Sequence, residues 1–140
     1  CLDDAFPGAR VEIRKVQGSF ELLFHQPGLL RPLTLAELSD GTLRYLLWIA
    51  ALLSPRAAGL MVLNEPETSL HPELLPPLGR LMKKCAESTQ LWVISHAHGL
   101  IDALSEESNH VHLTKRLGET MIEVLGTFDF ETPAWKWPVR

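Results

Sequence analysis

The chain has 140 residues, of which 46% are hydrophobic, so it is long enough to bury the core of one domain. Its formal net charge of −4 argues against a surface dominated by contacts to nucleic-acid phosphates. The longest apolar run, Tyr45 to Leu53, is shorter than the ~20 residues that a membrane helix needs. We therefore expect one globular domain without a membrane span.

The beginning of the chain and its cysteines suggest a cellular compartment. Cys1 and Cys85 lack the spacing of a zinc site or a disulfide framework, and no secretory leader opens the sequence. These features predict a cytoplasmic protein. Because the first residue is Cys rather than Met, we also expect that an N-terminal part has been lost.

Apolar and polar residues alternate in residues 10–25, in two runs separated by Gln17-Gly18. Alternation with a period of two around a glycine turn predicts an antiparallel hairpin with one solvent-facing side. A loop that contains Pro27 and Gly28 should follow and run to Pro32. A short helical turn over 34–38 is then expected.

Residues 34–54 combine the polar motif Leu38-Ser-Asp-Gly-Thr42 with apolar residues at helical spacing. The spacing predicts a mostly buried helix from Thr42 to Ser54. The motif suits a helix cap, in which a Ser or Asp side chain accepts a backbone N–H. The unpaired amides and the positive end of the helix dipole can equally form an anion site.

Residues 59–125 are predicted to hold the core. Two uninterrupted apolar runs, Leu60 to Leu63 and Leu91 to Ile94, are typical of parallel strands buried on both faces. A helix that begins near Pro72, and is kinked or restarted at Pro77, would join them in a βαβ crossover. The carboxyl ends of the two strands would then share one edge, where open α/β sheets place their ligands.

Polar residues follow each strand at this edge. Asn64 and Glu65 follow the first strand, and Ser95 and His96 follow the second. His96 can therefore approach Glu65. The alternative is that the acidic group from Asn64 to Ser69 only caps the next helix, because a helix dipole favours carboxylates at its N-terminus.

The last part of the chain is less informative. Residues 99–104 are predicted to form a short amphipathic helix, and a last pair of strands is predicted around Leu117-Gly118. The tail, residues 126–140, contains four aromatic residues and two prolines. The sequence does not decide whether this tail packs on the domain or is poorly ordered.

Four motifs in residues 34–102 resemble, in their order and spacing, the C-terminal half of an ABC-type ATPase of the soluble SMC, RecF and OLD-like branch. Leu38 to Thr42 is similar to the signature motif, and Leu60 to Glu65 is similar to Walker B with its catalytic glutamate. Ser69 to Pro72 is similar to the D-loop, and Ile94 to His96 to the switch-histidine loop. The resemblance implies an α/β, P-loop NTPase-like fold with parallel strands, flanking helices and antiparallel hairpins at both ends.

The resemblance also implies ATP hydrolysis, with ATP and Mg²⁺ as cofactors. Glu65 would polarise the attacking water, and His96 would contact the γ-phosphate and hold that water in line. The signature helix would face a nucleotide bound to the opposite subunit of a head-to-tail homodimer. Contacts to the nucleotide would come from the signature motif and the D-loop, through Ser39, Asp40, Gly41, Thr42, Ser69 and His71.

The chain departs from the family pattern in two places. Asn64 stands where Walker B usually has Asp, and its amide oxygen can accept a hydrogen bond from a metal-bound water but carries no charge. Either Mg²⁺ binds weakly through Asn64, or Glu65 and Glu67 share the task. No P-loop sequence is present, so a missing N-terminal segment is expected to supply it.

Three alternatives stay open at this stage. The chain can be a non-catalytic module that completes a partner's nucleotide site, or a DNA-repair or phage-defence factor of the OLD kind with DNA as a partner. The pairs His96/His98 and His110/His112 also have a spacing that suits zinc, although no Cys pair or acidic ligand set completes a four-coordinate site.

Overall fold

The computed structural model describes residues 2–56 and 58–125. These residues form two compact units, of which the first ends at Leu104 and the second begins at Ser105. A parallel strand pair, flanking helices and an antiparallel hairpin near each end of the described chain confirm the predicted α/β class. None of the described helices combines the length and the apolar character that a membrane span requires.

The predicted hairpin near the N-terminus is confirmed. After a short helix α1 (Leu2–Ala5), strands β1 (Arg10–Val16) and β2 (Ser19–His25) pair antiparallel. Gln17 and Gly18 between them both have positive φ, 48° and 87°, as a two-residue turn requires. The sequence did not predict β3 (Leu33–Thr34), which extends this sheet by pairing with β2.

Helix α2 (Asp40–Leu52) follows a 3₁₀ turn at Leu35–Glu37, as expected for this region. The helix begins at Asp40 rather than at Thr42. The Ser39 hydroxyl accepts a hydrogen bond from the backbone N–H of Thr42 at 3.2 Å, and this cap places the first helical residue directly after Ser39.

The predicted βαβ unit is present. Strand β4 (Leu60–Asn64) pairs in parallel with β5 (Gln90–Ile94), and helix α3 (Leu75–Ala86) lies between them in the chain. A 3₁₀ turn at Pro72–Leu74 leads into α3, so Pro76 and Pro77 fall in its first turn. Proline is tolerated there because the N–H groups of the first turn have no partner within the helix.

The core of the first unit forms where one face of the β4-β5 sheet meets the helices. Helix α4 (His98–Leu104) contributes Leu100, which is fully buried. The rings of Phe6 and Phe24 meet edge to face, as do those of Phe6 and Tyr45, each with centroids 5.6 Å apart. The buried cluster consists of Tyr45, Leu52, Leu63, Leu74, Leu75, Leu78, Leu81, Met82, Cys85 and Leu100.

The prediction that β4 and β5 are buried on both faces is wrong for the described part of the chain. Leu63 lies in the core with 4% exposure, but Val62 and its cross-strand neighbour Trp92 are 57% and 60% exposed. Successive side chains of a strand point to opposite faces. One face packs on the helices, and no described element of the first unit covers the other face.

The second unit contains the strand pair that the sequence predicted around Leu117-Gly118. Strands β6 (His110–Arg116) and β7 (Glu119–Leu125) pair antiparallel around Leu117-Gly118, and both turn residues have positive φ. Cys1 and the tail, residues 126–140, lie outside the described residues.

A first prediction concerns the close approach of α3 and α4. A Cβ added to Gly79 would lie 2.7 Å from the Cβ of Ala103. We expect Gly79→Ala to lower the free energy of unfolding by about 1–3 kcal/mol through overpacking, although alanine is normally the better helix former. Urea denaturation measures this change.

Two further variants control this experiment. A Cβ on Gly59 meets nothing within 4 Å, so Gly59→Ala should cause little loss of stability. Ala103→Gly in the Gly79→Ala background should restore part of the loss. A stabilising effect of Gly79→Ala alone would contradict a tight helix contact.

Candidate functional site

Glu65 and His96 follow strands β4 and β5, and their side chains lie close together. The distance from His96 Nδ1 to Glu65 Oε1 is 3.9 Å. The parallel register pairs Asn64 with Ile94, so both strands end at the same level of the sheet. The His96 side chain is 79% exposed and the Glu65 side chain is 50% exposed, so both are accessible to a substrate at this edge.

The backbone of Glu65 turns sharply at the end of β4. Its φ is 46°, which is uncommon for a residue other than glycine, and such a conformation costs on the order of 1–3 kcal/mol. The N–H of Glu65 donates to the carbonyl of Ile94 at 2.8 Å, and its carbonyl accepts from the N–H of Thr68 at 3.1 Å. These contacts hold the strained residue in place.

Trp48 of helix α2 fixes the next residue of this loop. Its indole N–H donates to the carbonyl oxygen of Pro66 at 3.0 Å, and Pro66 is fully buried. Sequence reasoning missed Trp48 as part of the site, because it fits the apolar pattern of the helix. The available indication was chemical, since a buried indole N–H usually finds a hydrogen-bond acceptor.

Glu67 connects the loop after β4 to the loop after β5. Its Oε1 accepts hydrogen bonds from the Ser95 hydroxyl at 2.6 Å and from the backbone N–H of His96 at 3.2 Å. Burial raises the pKa of the Glu67 carboxyl, but the hydrogen bonds from Ser95 and from backbone N–H groups outweigh it, so the pKa lies below its ordinary value. The carboxylate is thus ionised at neutral pH, and its Oε1 is occupied by protein donors.

The signature-like motif and the D-loop-like segment meet in the structure. A Cβ on Gly41 would lie 2.8 Å from the carbonyl oxygen of Ser69, so glycine allows this approach. Ser69 has a φ of 66°, which is uncommon for a residue other than glycine. Thr42 adds a side-chain hydrogen bond to the Ser39 hydroxyl at 2.9 Å, and the helix begins at the surface, with Ser39 and Asp40 exposed.

His71 occupies a capping position. Its Nδ1 accepts from the backbone N–H of Glu73 at 3.4 Å, and the imidazole is 70% exposed. His71 thus caps the 3₁₀ turn at Pro72–Leu74, and it lies outside the segment from Asn64 to Ser69 that the alternative interpretation named as a cap.

The donors for a metal ion at the sheet edge are few. Asn64 is exposed at the end of β4, beside Glu65, whereas Glu67 is engaged by Ser95 and His96. The described residues contain no group of three or more His, Cys, Asp or Glu side chains placed to hold a metal ion. Asn64 and Glu65 therefore do not form a closed protein cage for a metal ion with other described residues.

A second prediction tests the Trp48 contact. Trp48→Phe keeps an aromatic ring but removes the N–H, so the buried carbonyl of Pro66 loses its donor. We expect the free energy of unfolding to fall by about 1–3 kcal/mol, as measured by urea denaturation. Trp92→Phe is the matched control, since Trp92 is 60% exposed. Equal losses in both variants would contradict the assigned contact.

Comparisons with known proteins bear on this architecture. The model of the family described as "AAA domain, putative AbiEii toxin, Type IV TA system" matches residues 2–102. No curated protein matches the chain.

Among solved structures, the chain is similar to one described as "Structural biochemistry of ATP-driven dimerization and DNA stimulated activation of SMC ATPases". The TM-score is 0.73 and the sequence identity is 15%, and the match covers 89% of this chain and 78% of that chain. It is also similar to an SMC head bound to the C-winged helix domain of ScpA, with a TM-score of 0.74 and 13% identity. This match covers 90% of this chain and 40% of that chain. The SMC head domain from Thermotoga maritima matches with a TM-score of 0.63 and 22% identity, over 90% of this chain and 44% of that chain.

The chain thus spans less than half the length of the last two structures. At these identities the likeness establishes the fold, which is that of SMC head ATPase domains. Because the family model covers most of its residues, the chain belongs to the AAA-domain family described as AbiEii-like.

Proposed function

We propose that this chain supplies the signature motif, Walker B, D-loop and switch histidine of a soluble ABC-type ATPase that binds and hydrolyses ATP. The observation that carries the proposal is the pairing of Glu65 and His96 at 3.9 Å on the carboxyl edge of the parallel strands. A carboxylate and an imidazole at such an edge can orient a water and a phosphate together.

Glu65 would hold the attacking water. Its carboxylate is half exposed, and its backbone is kept in a strained conformation by the Ile94 and Thr68 contacts. Strain that the surrounding structure maintains is frequent at reaction sites. His96 would contact the transferred phosphate and keep the water and Glu65 in line.

The N-terminus of α2 would bind the nucleotide of a second subunit. This helix is 13 residues long, and its exposed start presents first-turn amides and the positive end of the dipole. Asp40 adds a negative charge there, which should weaken the binding of an anion. Because this exposed helix start would bind a nucleotide of the second subunit, we propose a head-to-tail homodimer. This agrees with the ATP-driven dimerisation described for SMC ATPases.

The P-loop would come from another segment, because G-x-x-x-x-G-K-[ST] does not occur in this sequence. When bound, Mg²⁺ would neutralise phosphate charge, and Asn64 would contact its water shell without contributing charge. Since Glu67 is engaged by Ser95 and His96, it is a poor candidate to supply the negative charge that Asn64 lacks. Slow turnover is the expected consequence.

A third prediction tests the role of Glu65. In a protein that also contains the P-loop segment, Glu65→Gln should lower kcat for ATP by about 10²-fold or more, because the amide cannot accept a proton from water. Steady-state phosphate release measures this, with and without DNA, since DNA stimulates the activity of the SMC ATPases.

Glu73→Gln is the matched control for this experiment. Glu73 lies in the same connection between β4 and α3, and its side chain is 88% exposed. We expect its kcat to equal that of the unaltered protein. Unchanged turnover in Glu65→Gln would remove Glu65 from the proposed role.

A second candidate function is favoured by Asn64. A Walker B-like segment without the Asp charge suits a non-catalytic module that completes a partner's nucleotide site. DNA handling of the OLD or RecF kind has no separate support from the described residues.

A fourth prediction tests the second of these functions. If the chain only contributes contacts in trans, isothermal titration of these 140 residues with Mg-ATP should show no binding in the micromolar range. The same titration in the presence of the P-loop segment should then show binding. Micromolar affinity of the isolated chain would contradict the module hypothesis.

A further inference from the structure

Glu67 lies between the two loops that carry the proposed reacting groups. It follows Glu65 by two residues, and its Oε1 receives the Ser95 hydroxyl at 2.6 Å and the His96 backbone N–H at 3.2 Å. The Ser95 hydroxyl oxygen in turn accepts from the N–H of Ala97 at 3.1 Å. One carboxylate oxygen therefore organises three successive residues of the neighbouring loop.

The side chains of Glu65 and His96 cannot be positioned by packing. They are 50% and 79% exposed, so their relative position depends on the backbones from which they extend. The Glu65 backbone is bonded to Ile94 at 2.8 Å, which joins the loops at the strand ends. Glu67 provides the second connection, and it is the one that reaches the backbone of His96 itself.

The two oxygens of the Glu67 carboxylate have different environments. Its Oε2 is buried and has no hydrogen-bond partner among the described residues, while Oε1 is fully engaged. Charge-assisted hydrogen bonds of this kind are shorter and stronger than neutral ones. The bonds to Oε1 therefore fix the orientation of the carboxylate relative to the Ser95–Ala97 segment.

We propose that Glu67 is a positioning residue, which holds the Ser95–Ala97 segment so that the His96 imidazole stays beside the Glu65 carboxylate. This inference rests on the proposed ATPase function for its catalytic consequence. The contact itself is independent of that function. Glu67 acts through His96 and does not touch the substrate.

The fifth prediction begins with a measurement that needs no activity. In the protein that includes the P-loop segment, hydrogen exchange of the His96 and Ala97 amides should accelerate at least about tenfold in Glu67→Ala, because their acceptors are lost or released. Glu67→Gln retains an acceptor oxygen and should restore most of the protection. Glu73→Ala is the exposed control and should leave both amides unchanged.

The kinetic measurement uses the same variants. Glu67→Ala should lower kcat about tenfold or more, while KM for ATP and the Mg²⁺ concentration at half-maximal rate stay unchanged. Glu67→Gln should recover most of kcat. In a His96→Ala background, Glu67→Ala should reduce kcat little further, because the group that it positions is already absent.

Each outcome decides one part of the inference. Unchanged exchange in Glu67→Ala would disprove the contact, and faster exchange with unchanged kcat would disprove its role in positioning. A raised Mg²⁺ requirement would show instead that Glu67 is a metal ligand. If Glu67→Ala does not fold, Ser95→Ala tests the same network by removing its hydroxyl.

The failure of the proposed function would be recognised separately. If the unaltered protein has no ATPase activity, or if Glu65→Gln retains full activity, the ATPase assignment is wrong, while the exchange data still report on the Glu67 contact.

Discussion

The loop that follows β4 is held by hydrogen bonds from two different elements. Trp48 of α2 binds the carbonyl of Pro66, and Glu67 accepts hydrogen bonds from Ser95 and His96 after β5. Buried groups of this kind are costly to leave unpaired, so each contact restricts the loop to one conformation. The strained φ of Glu65 is maintained within this frame.

This arrangement separates the groups that fix the site from those that can react. Pro66 is buried and Glu67 is partly buried, whereas Glu65 and His96 extend into solvent. In the proposed ATPase, preorganisation would reside in the backbone, and little rearrangement would be needed when a phosphate and a water arrive. The same helix that anchors Pro66 begins at the signature-like motif, where Gly41 approaches Ser69, so the D-loop-like segment and α2 form one packed body.

The open face of the β4-β5 sheet is the other notable property of the first unit. Val62 and Trp92 expose large apolar surfaces on a side that no described element of the first unit covers. Similar solved structures are longer than this chain, which spans 40% of one and 44% of another. The open face is therefore compatible with the proposal that a further segment, with the P-loop, completes the nucleotide site.

Local patterns in the sequence were sufficient to predict the hairpin at residues 10–25, the parallel strands and the polar residues at their carboxyl ends, because periodicity and turn chemistry are local properties. They did not reveal the exposed face at Val62 and Trp92, since an apolar run has the same composition whether one face or two are covered. The hydrogen bonds of Trp48 to Pro66 and of Glu67 to Ser95 join residues that are far apart in the chain, with separations of 18 and 28. Only the tertiary structure could decide these contacts, because they depend on how α2, β4 and β5 pack and not on the residues that flank each partner.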